Sequence, residues 1–387
     1  MLNRLTTQSI NSYYLKFLLT IFSLTSVSVS ANTMTWFKGN THAHTKLSHG
    51  DSTPEVVASW YHDNDYNFLI LSEHNRFINP QTVNMPKNLR KDFILVPGEE
   101  VSHKTHDGKQ YDVHSTAMNI TKLVEWKNDS TNKTEIMQQH VDDIEEADGE
   151  TILNHPNWQA GITAEQILDV ERLYMFELYN GHPHVNSYGD HLPEGSFWEE
   201  LFSSITHLFG GETGRHHLAS TETLWDELLS TGMKIYGVSS DDAHEFKHRS
   251  AVDSNPGRGW VMVKAKELTG DSITAAMRRG DFYASNGVFL KQYQKSTNQY
   301  VVSVDIDRTK AEIEKQYVTG RHTQEKLGFL IEFIGEHGKV LQSSYEPSST
   351  FLINHTEKYI RVKVTYSIKA PQGVQSFYAW GQPVFSK

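Results

Sequence analysis

Cysteine is absent from all 387 residues of the chain. Its absence excludes disulfides, zinc fingers, iron–sulfur clusters and cysteine nucleophiles. Basic residues are also in deficit, since 36 Lys and Arg against 47 Asp and Glu give a formal net charge of -11. A phosphate backbone attracts Lys and Arg, so this balance disfavours a general nucleic-acid or anionic-membrane binder. A small phosphorylated substrate is still compatible, because a few bound cations reverse the field locally.

Long apolar runs are scarce, and the most pronounced one lies near the N-terminus. Phe17 to Leu24 follows Arg4 and Lys16 and precedes the small-residue pattern Val29-Ser30-Ala31. This pattern predicts a cleavable secretory signal peptide over residues 1–31. The run is short for a bilayer-spanning helix, and no cysteine follows it to carry a lipid. We therefore expect a secreted or periplasmic protein with no membrane anchor.

Histidine, in contrast, is abundant, with 21 residues. A histidine excess without cysteine favours metal binding by imidazole and carboxylate groups, although composition alone leaves a His-rich surface equally open. With 37% hydrophobic and 21% charged residues, the composition is that of an ordinary globular protein. The length suits one large domain and a smaller one.

Short apolar segments alternate with amphipathic ones over residues 32–286. The continuous apolar runs Phe68 to Leu71 and Phe93 to Val96 are typical of strands that are buried on both faces. Pro54, with Thr53 as its cap, predicts the start of a helix. The alternation predicts an α/β fold with a largely parallel sheet, open or closed into a barrel. In such folds the chemistry lies where strands end and loops begin.

The pattern changes over residues 287–387. Polar and apolar residues alternate in Tyr300 to Ile306 and in Lys358 to Val364, which predicts a small, β-sandwich-like antiparallel accessory domain. In the first domain, the segment Phe197 to Arg215 interrupts the alternation, and we interpret it as a long loop or lid.

Ionisable residues follow nearly every predicted core strand of the first domain. A lone histidine at a strand end is more often a capping or core residue than a ligand, but the repetition is hard to explain structurally. Many ionisable groups that converge without cations would cost free energy through desolvation and repulsion, so the pattern predicts a site for two or three metal ions. The residues are His42, His44, His49, Asp51, Glu73, His74, Glu99, Glu100, His114, His155, Asp241, Asp242 and His244.

One competing motif is His244-Glu245-Phe246-Lys247-His248, which formally matches the H-E-x-x-H helix of zinc proteases. That chemistry needs an α-helix, so that both histidines share one face. Here the match follows a predicted strand and runs into the turn-forming segment Asp253 to Gly257. We therefore expect no helix at this place and disfavour a metalloprotease.

The order of these motifs resembles the PHP family, named for its polymerase and histidinol phosphatase members. The resemblance spans Trp36 to Ser285 and implies a distorted seven-stranded β/α barrel with up to three zinc, manganese or iron ions. Exported members of the family are similar in their Trp225-Asp226 helix and Arg258-Gly259-Trp260 turn. The motifs are His42-Ala43-His44-Thr45, Ser72-Glu73-His74-Asn75, Pro97-Gly98-Glu99-Glu100, Asp112-Val113-His114, Asn154-His155-Pro156 and Asp242-Ala243-His244.

The resemblance also implies a ligand set. One metal would be held by His42, His44, Glu100 and Asp242, a second by His49, His74 and His244, and a third by Glu100, His114 and His155. The chain departs from the family pattern at two positions. His49 stands where Asp is usual, with Asp51 as an alternate or supporting residue, and Glu73 replaces the usual Asp, where it is expected to orient a ligating imidazole.

The resemblance implies hydrolysis of a phosphomonoester or phosphodiester by water on the metal ions. Asp242 or His244 would move the proton, and Arg258 is the first candidate for a cation that neutralises the phosphoryl oxygens. Arg215, His216 and Lys104 are further candidates, although each of these cations is equally well explained as a solvated surface charge. The expected partner is a small phosphorylated substrate.

Two alternatives are left open by the sequence. An amidohydrolase-type enzyme, acting on C–N or C–O bonds, also begins with H-x-H, but it usually bridges its metals with a carboxylated lysine. A metal-containing binding protein would use the C-terminal domain to contact a glycan or another surface. Its candidate aromatic residues more often fill a core, and they are Tyr293, Tyr345, Phe377, Tyr378 and Trp380.

Overall fold

The computed structural model describes residues 34–85, 89, 91–102, 113–125, 130–158, 161–183, 185, 220–250, 253–316, 325–370 and 373–386. They belong to a unit that spans Met34–Lys387. The predicted signal peptide and the Phe197 to Arg215 insertion lie outside the described residues. No helix within those residues is long and apolar enough to cross a membrane.

Helices and strands alternate through the first two thirds of this unit, and strands dominate the last third. The α-helices are α1 Pro54–Asp63, α2 Lys133–Glu146, α3 Ala164–Leu168, α4 Thr221–Thr231, α5 Gly270–Arg278 and α6 Ile306–Gln316. The strands are β1 Thr35–Asn40, β2 Phe68–Ile70, β3 Ile94–Val96, β4 Gly98–Ser102, β5 His114–Met118, β6 Glu150–Leu153, β7 Met175–Asn180, β8 Tyr236–Ser240, β9 Trp260–Ala265, β10 Phe282–Ser285, β11 Leu290–Lys295, β12 Gln299–Val304, β13 Glu325–Ile334, β14 Val340–Ser344, β15 Ser348–Leu352, β16 Tyr359–Ala370 and β17 Gly373–Phe385.

The largest sheet has nine strands in the order β14-β13-β16-β17-β10-β9-β1-β2-β3. Strands β1, β2 and β3 are parallel, and β9 runs antiparallel to β1. Gly39 in β1 is required by packing, because a side chain there would occupy the position of the Phe68 ring. The pairing of β10 with β17 makes the C-terminal strands a continuation of the sheet that begins with β1.

A second sheet has five strands in the order β4-β5-β6-β7-β8. Strands β6, β7 and β8 are parallel, whereas β5 is antiparallel to both β4 and β6. Isolated bridges link the two sheets, between Ala43 and Ala243 and between His74 and Glu100. Both bridges involve residues of the predicted metal motifs, so the two sheets come together where those motifs lie.

Side chains from both sheets share one apolar core. Continuous burial of β2 follows from its Phe-Leu-Ile sequence, and α5 closes the same core with its apolar face. Strands buried on both faces are uniformly apolar rather than alternating. The core residues include Phe68, Ile70, Val96, Met118, Ile152, Met175, Val238, Val261, Val263, Ile273 and Met277.

The fold differs from the sequence-based expectation in four respects. The pairing is mixed rather than largely parallel, and the described ladders form separate sheets instead of one closed barrel. A helix, α6, lies within the C-terminal segment that was expected to be entirely β. Helix α1 begins at Pro54 as predicted, but the Thr53 side chain makes no capping hydrogen bond. The proposed domain boundary near residue 286 stays a prediction.

Candidate metal centre

Imidazole and carboxylate groups from six strands meet where the two sheets are bridged. The segments that follow β1, β2, β6 and β8 contribute residues, as do β4 and the first residue of β5. Because β5 runs antiparallel to β6, its beginning lies at the same edge as the ends of the parallel strands. All nine predicted ligands are therefore brought together: His42, His44, His49, His74, Glu100, His114, His155, Asp242 and His244.

Glu100 lies at the centre of this group. Its carboxylate is fully buried, and it lies within β4 rather than after a strand as expected. Five imidazoles approach it, with nitrogen–oxygen distances of 2.9–3.4 Å, from His42, His44, His74, His114 and His155. A buried carboxylate surrounded in this way has the position of a ligand that is shared between cations.

Asp242 supplies a second carboxylate, which approaches the Nε2 atoms of His42 and His44 as Glu100 does. Its Oδ1 lies 3.4 Å from His42 Nε2, 3.2 Å from His44 Nε2 and 3.7 Å from His244 Nε2. Asp242 and His155 both have left-handed backbone conformations, with φ of 48° and 27°. Such conformations are costly for residues other than glycine and concentrate at functional sites.

The distances within the cluster suit metal coordination. The Nε2 atoms of His42 and His44 are 3.2 Å apart, and two nitrogen ligands of one tetrahedral ion would be about 3.3 Å apart. Within the nine predicted ligands, three buried side-chain atoms have no hydrogen-bond partner among the described residues: Glu100 Oε2, His155 Nδ1 and His244 Nδ1. The donor set of imidazole nitrogen and carboxylate oxygen fits zinc, manganese or iron.

The groups of ligands overlap, so geometry alone does not assign each ligand to one particular ion. His42, His44 and Glu100 form one group of three, as the first predicted metal requires. His44 also belongs to a group with His49 and His74, and to another with Asp242 and His244. All ligand atoms within each group lie within 4.8 Å of one another. The division among two or three ions stays a prediction.

Hydroxyl groups contact the Nδ1 atoms of two of the imidazoles, and the Nδ1 of His74 also lies 2.9 Å from Glu100 Oε2. His74 Nδ1 lies 2.5 Å from Ser102 Oγ, and His44 Nδ1 lies 3.3 Å from Ser48 Oγ. Ser48 in turn donates to the Glu73 carboxylate. Glu73 thus acts on His44 through Ser48, which is the orienting role that the sequence predicted for it.

Burial and mutual charge shift the titration of the cluster. Burial opposes charge on His42, but the carboxylates of Asp242 and Glu100 raise the pKa of that imidazole well above its usual range. Burial would raise the pKa of Glu100, yet His42 and His74 hold it well below its usual range. Burial lowers the pKa of His244 to about 4. Ionised carboxylates and neutral imidazoles are the forms that bind cations, and a bound ion would replace the proton on His42.

Two of the three predicted catalytic residues, Asp242 and His244, lie in the cluster, whereas Arg258 is held beside it. Its guanidinium donates to the backbone carbonyls of Ser250 at 2.7 Å and Gly181 at 3.3 Å. Its backbone N–H donates to Asp241, whose buried carboxylate also accepts from Gly257. In the structure, the Arg258 side chain therefore holds the backbone at Gly181 and Ser250. The other candidate cations, Lys104, Arg215 and His216, lie outside the described residues.

Asp51, the alternate to His49, holds the segment that carries the protease-like motif. Its carboxylate accepts hydrogen bonds from the backbone of Phe246 at 3.1 Å and Lys247 at 3.0 Å. The segment from His244 to His248 is not helical. The metalloprotease interpretation therefore fails, as the sequence analysis expected.

Glu177 is a functional residue that the sequence analysis missed. Its Oε1 lies 2.7 Å from His42 Nδ1, and its Oε2 accepts from the backbone N–H of His155 at 2.8 Å and from Asn180 at 2.9 Å. Ser240 also donates to it. The available signal was a lone carboxylate inside the apolar segment Met175–Asn180, which is unusual unless the charge is paired.

Asn154 and Asn180 were also missed, although the first lies in a quoted motif. Asn154 donates from Nδ2 to Glu100 Oε1 at 2.9 Å and accepts from the backbone of Thr116. Asn180 contacts Asp242 Oδ2 at 3.2 Å. Each amide therefore fixes the direction of one central carboxylate, which is how residues around a metal site commonly act.

A cavity of about 210 Å³ opens onto the cluster. Trp158, His182 and Glu245 line it together with the predicted ligands. No Lys or Arg lines it among the described residues. The cavity is large enough for the reacting group of a small ester, and its donors come from the metal-ligand residues and from neighbouring neutral side chains.

No family model and no curated protein matches the chain. Among solved structures, it is similar to a two-domain protein from Bacteroides vulgatus ATCC 8482 that contains a predicted PHP-like metal-dependent phosphoesterase. The two sequences are 13% identical, the match covers 89% of this chain and 95% of the other, and the TM-score is 0.41. It is also similar to a proposed metal-dependent phosphoesterase from Bifidobacterium adolescentis ATCC 15703, with 12% identity, coverage of 53% and 87%, and a TM-score of 0.33. Both similarities are distant, and the functional interpretation rests on the residues of the site.

Proposed function

We propose that the chain is a PHP-family hydrolase that binds two or three divalent cations and cleaves a phosphoester. The observation that carries the proposal is the convergence of nine His, Glu and Asp side chains from distant parts of the sequence around Glu100. Without cations, seven of these ionisable side chains would be buried against one another, at a substantial cost in desolvation and repulsion. Zinc, manganese and iron all fit the donor set.

A bound cation would supply a water of lowered pKa and a Lewis acid for the ester oxygen. The side chains around it hold the arrangement in place. Glu177 keeps the proton of His42 on Nδ1, so that Nε2 presents its lone pair. Asn154 and Asn180 fix the carboxylates of Glu100 and Asp242. His244, whose Nδ1 is without a partner among the described residues, is placed to accept a proton during turnover.

We further propose that the protein is exported to the periplasm or out of the cell, because residues 1–31 have the pattern of a signal peptide. The barrel of the PHP family is compatible with a core shared by both sheets and with the bridges that join them. The expected substrate is small and phosphorylated, since a net charge of -11 disfavours nucleic acid.

The test combines metal analysis with a panel of esters on the purified chain from residue 32 onward. Metal content is counted by plasma mass spectrometry, and hydrolysis is measured on para-nitrophenyl phosphate and bis-para-nitrophenyl phosphate. We expect two or three ions per chain and chelator-sensitive turnover. Asp242→Asn should reduce kcat/KM by at least about 100-fold, because it removes the charge of a carboxylate ligand that lies against three of the ligating imidazoles.

Asp63→Asn is the matched control, since Asp63 lies on α1 with a side chain that is 70% exposed. It should leave metal content and turnover unchanged. Full turnover in the presence of chelator, or in Asp242→Asn, would contradict a metal-dependent mechanism. Preference for the monoester or the diester would then define the class of phosphoesterase.

A second candidate is a hydrolase of C–O or C–N bonds in an uncharged substrate. The observation that favours it is the lack of Lys and Arg around the metal cavity among the described residues, because phosphoryl transfer usually uses a cationic side chain. Arg258 is already engaged by two carbonyls. Chelator-sensitive hydrolysis of para-nitrophenyl acetate, with no turnover of either phosphate ester, would favour this candidate.

A further inference from the structure

A second and larger cavity lies beside the metal centre. It has a volume of about 590 Å³, which is in the usual range for small-molecule sites. His155 and Val185 line both this cavity and the smaller one over the metal cluster. A substrate whose reacting group occupies the smaller cavity can therefore extend into the larger one.

The far wall of the larger cavity is formed by C-terminal strands. Arg361 and Lys363 come from β16, and Tyr378 and Trp380 come from β17. Helix α4 forms another wall with its first two turns. The C-terminal segment thus borders the place where the remainder of a substrate would lie.

The charges of the cavity disfavour an anionic occupant. Arg361 is paired with Asp226 by two hydrogen bonds of 2.6 and 2.7 Å, and Lys363 donates to Glu222. Glu227 and Glu332 add two more carboxylates to the lining. Since both cations are already paired, the net field is negative and would repel a polyphosphate or a nucleotide.

The remaining surface combines aromatic rings with hydroxyl groups. Tyr378 and Trp380 have ring centroids 5.3 Å apart, and Tyr179 stacks on Trp380 at 5.7 Å. Thr221 and Thr223 line the same space. Trp380 is itself buried, and Lys363 Nζ lies over the Tyr378 ring, 4.6 Å from its centroid. The aromatic surface open to the C–H groups of a sugar is therefore that of the partly exposed Tyr179 and Tyr378. Hydroxyls and paired charged groups of the lining exchange hydrogen bonds with the sugar hydroxyls.

We infer that the larger cavity is a subsite for a neutral, hydroxyl-rich group of the carbohydrate type, and that the C-terminal strands select the substrate through it. The inference rests on the proposed function, since it assigns the part of the substrate that remains outside the metal centre. The substrate would then be an ester whose alcohol or acyl portion carries several hydroxyl groups.

Binding is tested without turnover, by saturation-transfer NMR on the metal-loaded chain. The probes are glucose, galactose, N-acetylglucosamine, cellobiose and maltose, with adenosine monophosphate and choline as anionic and cationic comparisons. We expect transfer to at least one saccharide. Tyr378→Ala should weaken that affinity about three- to tenfold. The matched control is Tyr345→Ala, since Tyr345 is 80% exposed and does not line the cavity.

A second variant, Thr223→Val, removes an exposed hydroxyl from the cavity and keeps the inference testable if Tyr378→Ala does not fold. The inference is overturned if no saccharide binds, if choline or adenosine monophosphate binds more tightly than all of them, or if neither cavity variant weakens binding. Saccharide binding without ester hydrolysis would reject the proposed function and retain the subsite. Hydrolysis of para-nitrophenyl phosphate without saccharide binding would retain the proposed function and reject the subsite.

Discussion

Glu177 is a fully buried carboxylate in the middle of an apolar strand, and its position explains how His42 is oriented. Its two oxygens receive four polar contacts, from His42, His155, Asn180 and Ser240. A charge this deep is stable only when its acceptor sites are filled. The residue therefore supports two predicted ligands at once, His42 after β1 and His155 after β6.

The first prediction concerns this support. Glu177→Gln replaces one of the two accepting carboxylate oxygens by an NH₂ group. The donors that now bond to that oxygen, either His42 and Ser240 or His155 and Asn180, then lose their acceptor. We expect metal affinity to fall about 10- to 100-fold, as for other residues that orient metal-bound histidines. Competition with a fluorescent zinc chelator measures the affinity directly. Glu171→Gln, at an exposed position just before β7, is the control, and equal loss in both variants would contradict the assignment.

At this scale, sequence reasoning found ligands better than their supports. His42, His44, His74 and His155 were predictable because each follows a recognisable apolar strand or short motif. His114 and Glu100 were chosen correctly as members of the cluster, but Glu100 lies within β4 and His114 begins β5, and these two strands pair antiparallel. The supports could not be assigned in the same way, because partners such as those of Glu177 are set by strand neighbours that are not adjacent in sequence.

Helix α4 and strand β16 are joined by a buried ion pair. Asp226 on α4 is 6% exposed and accepts two hydrogen bonds from Arg361, which is 2% exposed. Tyr359 adds a third hydrogen bond to the same carboxylate at 2.7 Å. This contact ties a helix of the predicted catalytic region to a strand of the C-terminal segment.

The second prediction follows from the cost of leaving one partner alone. Asp226→Ala removes the nearer counter-charge of a buried guanidinium and leaves only Glu222, whose Oε2 lies 3.5 Å from Arg361 Nη2, so we expect the free energy of unfolding to fall by up to about 3–5 kcal/mol. Chemical denaturation followed by circular dichroism measures the change. Glu227→Ala, at the exposed neighbouring position, should change stability by less than about 0.5 kcal/mol.

A double variant separates the ion pair from the packing around it. Asp226→Leu with Arg361→Met replaces both charges by apolar groups, which is often neutral for a buried pair. It should recover most of the stability that Asp226→Ala loses. A double variant as unstable as Asp226→Ala would show that shape, and not the unpaired charge, dominates at this contact.

Element prediction succeeded where local pattern determines the outcome. The apolar β2 and β3 and the helix that begins at Pro54 occur at their predicted places. Strand direction was less predictable, because the antiparallel pairing of β9 with β1 brings together segments more than 200 residues apart. Helix α6 was missed, since its 11 residues were interpreted within a segment of alternating strands.

On the scale of the whole molecule, the C-terminal strands extend the nine-stranded sheet, in which β1 and β2 precede four of the nine predicted ligands. Strand β10 pairs with β9 on one side and with β17 on the other. The sequence predicted an accessory domain from a change in residue pattern, but a pattern of alternation does not reveal which sheet a strand will join. Ladder hydrogen bonds therefore couple the metal centre to the C-terminal segment through continuous backbone.

The third prediction is that metal binding stabilises this whole unit. The cluster brings seven imidazoles and two carboxylates together, and ions bind the folded arrangement far better than the unfolded chain. With free ion at 100 times its Kd, we expect a gain of about 2.7 kcal/mol per independent site. Scanning calorimetry with and without chelator should show a lower melting temperature after chelation, restored by added zinc or manganese. His62→Ala, outside the cluster on α1, should keep the full shift, whereas Asp242→Ala should lose most of it. An equal shift in both variants would mean that the stabilising ions bind elsewhere.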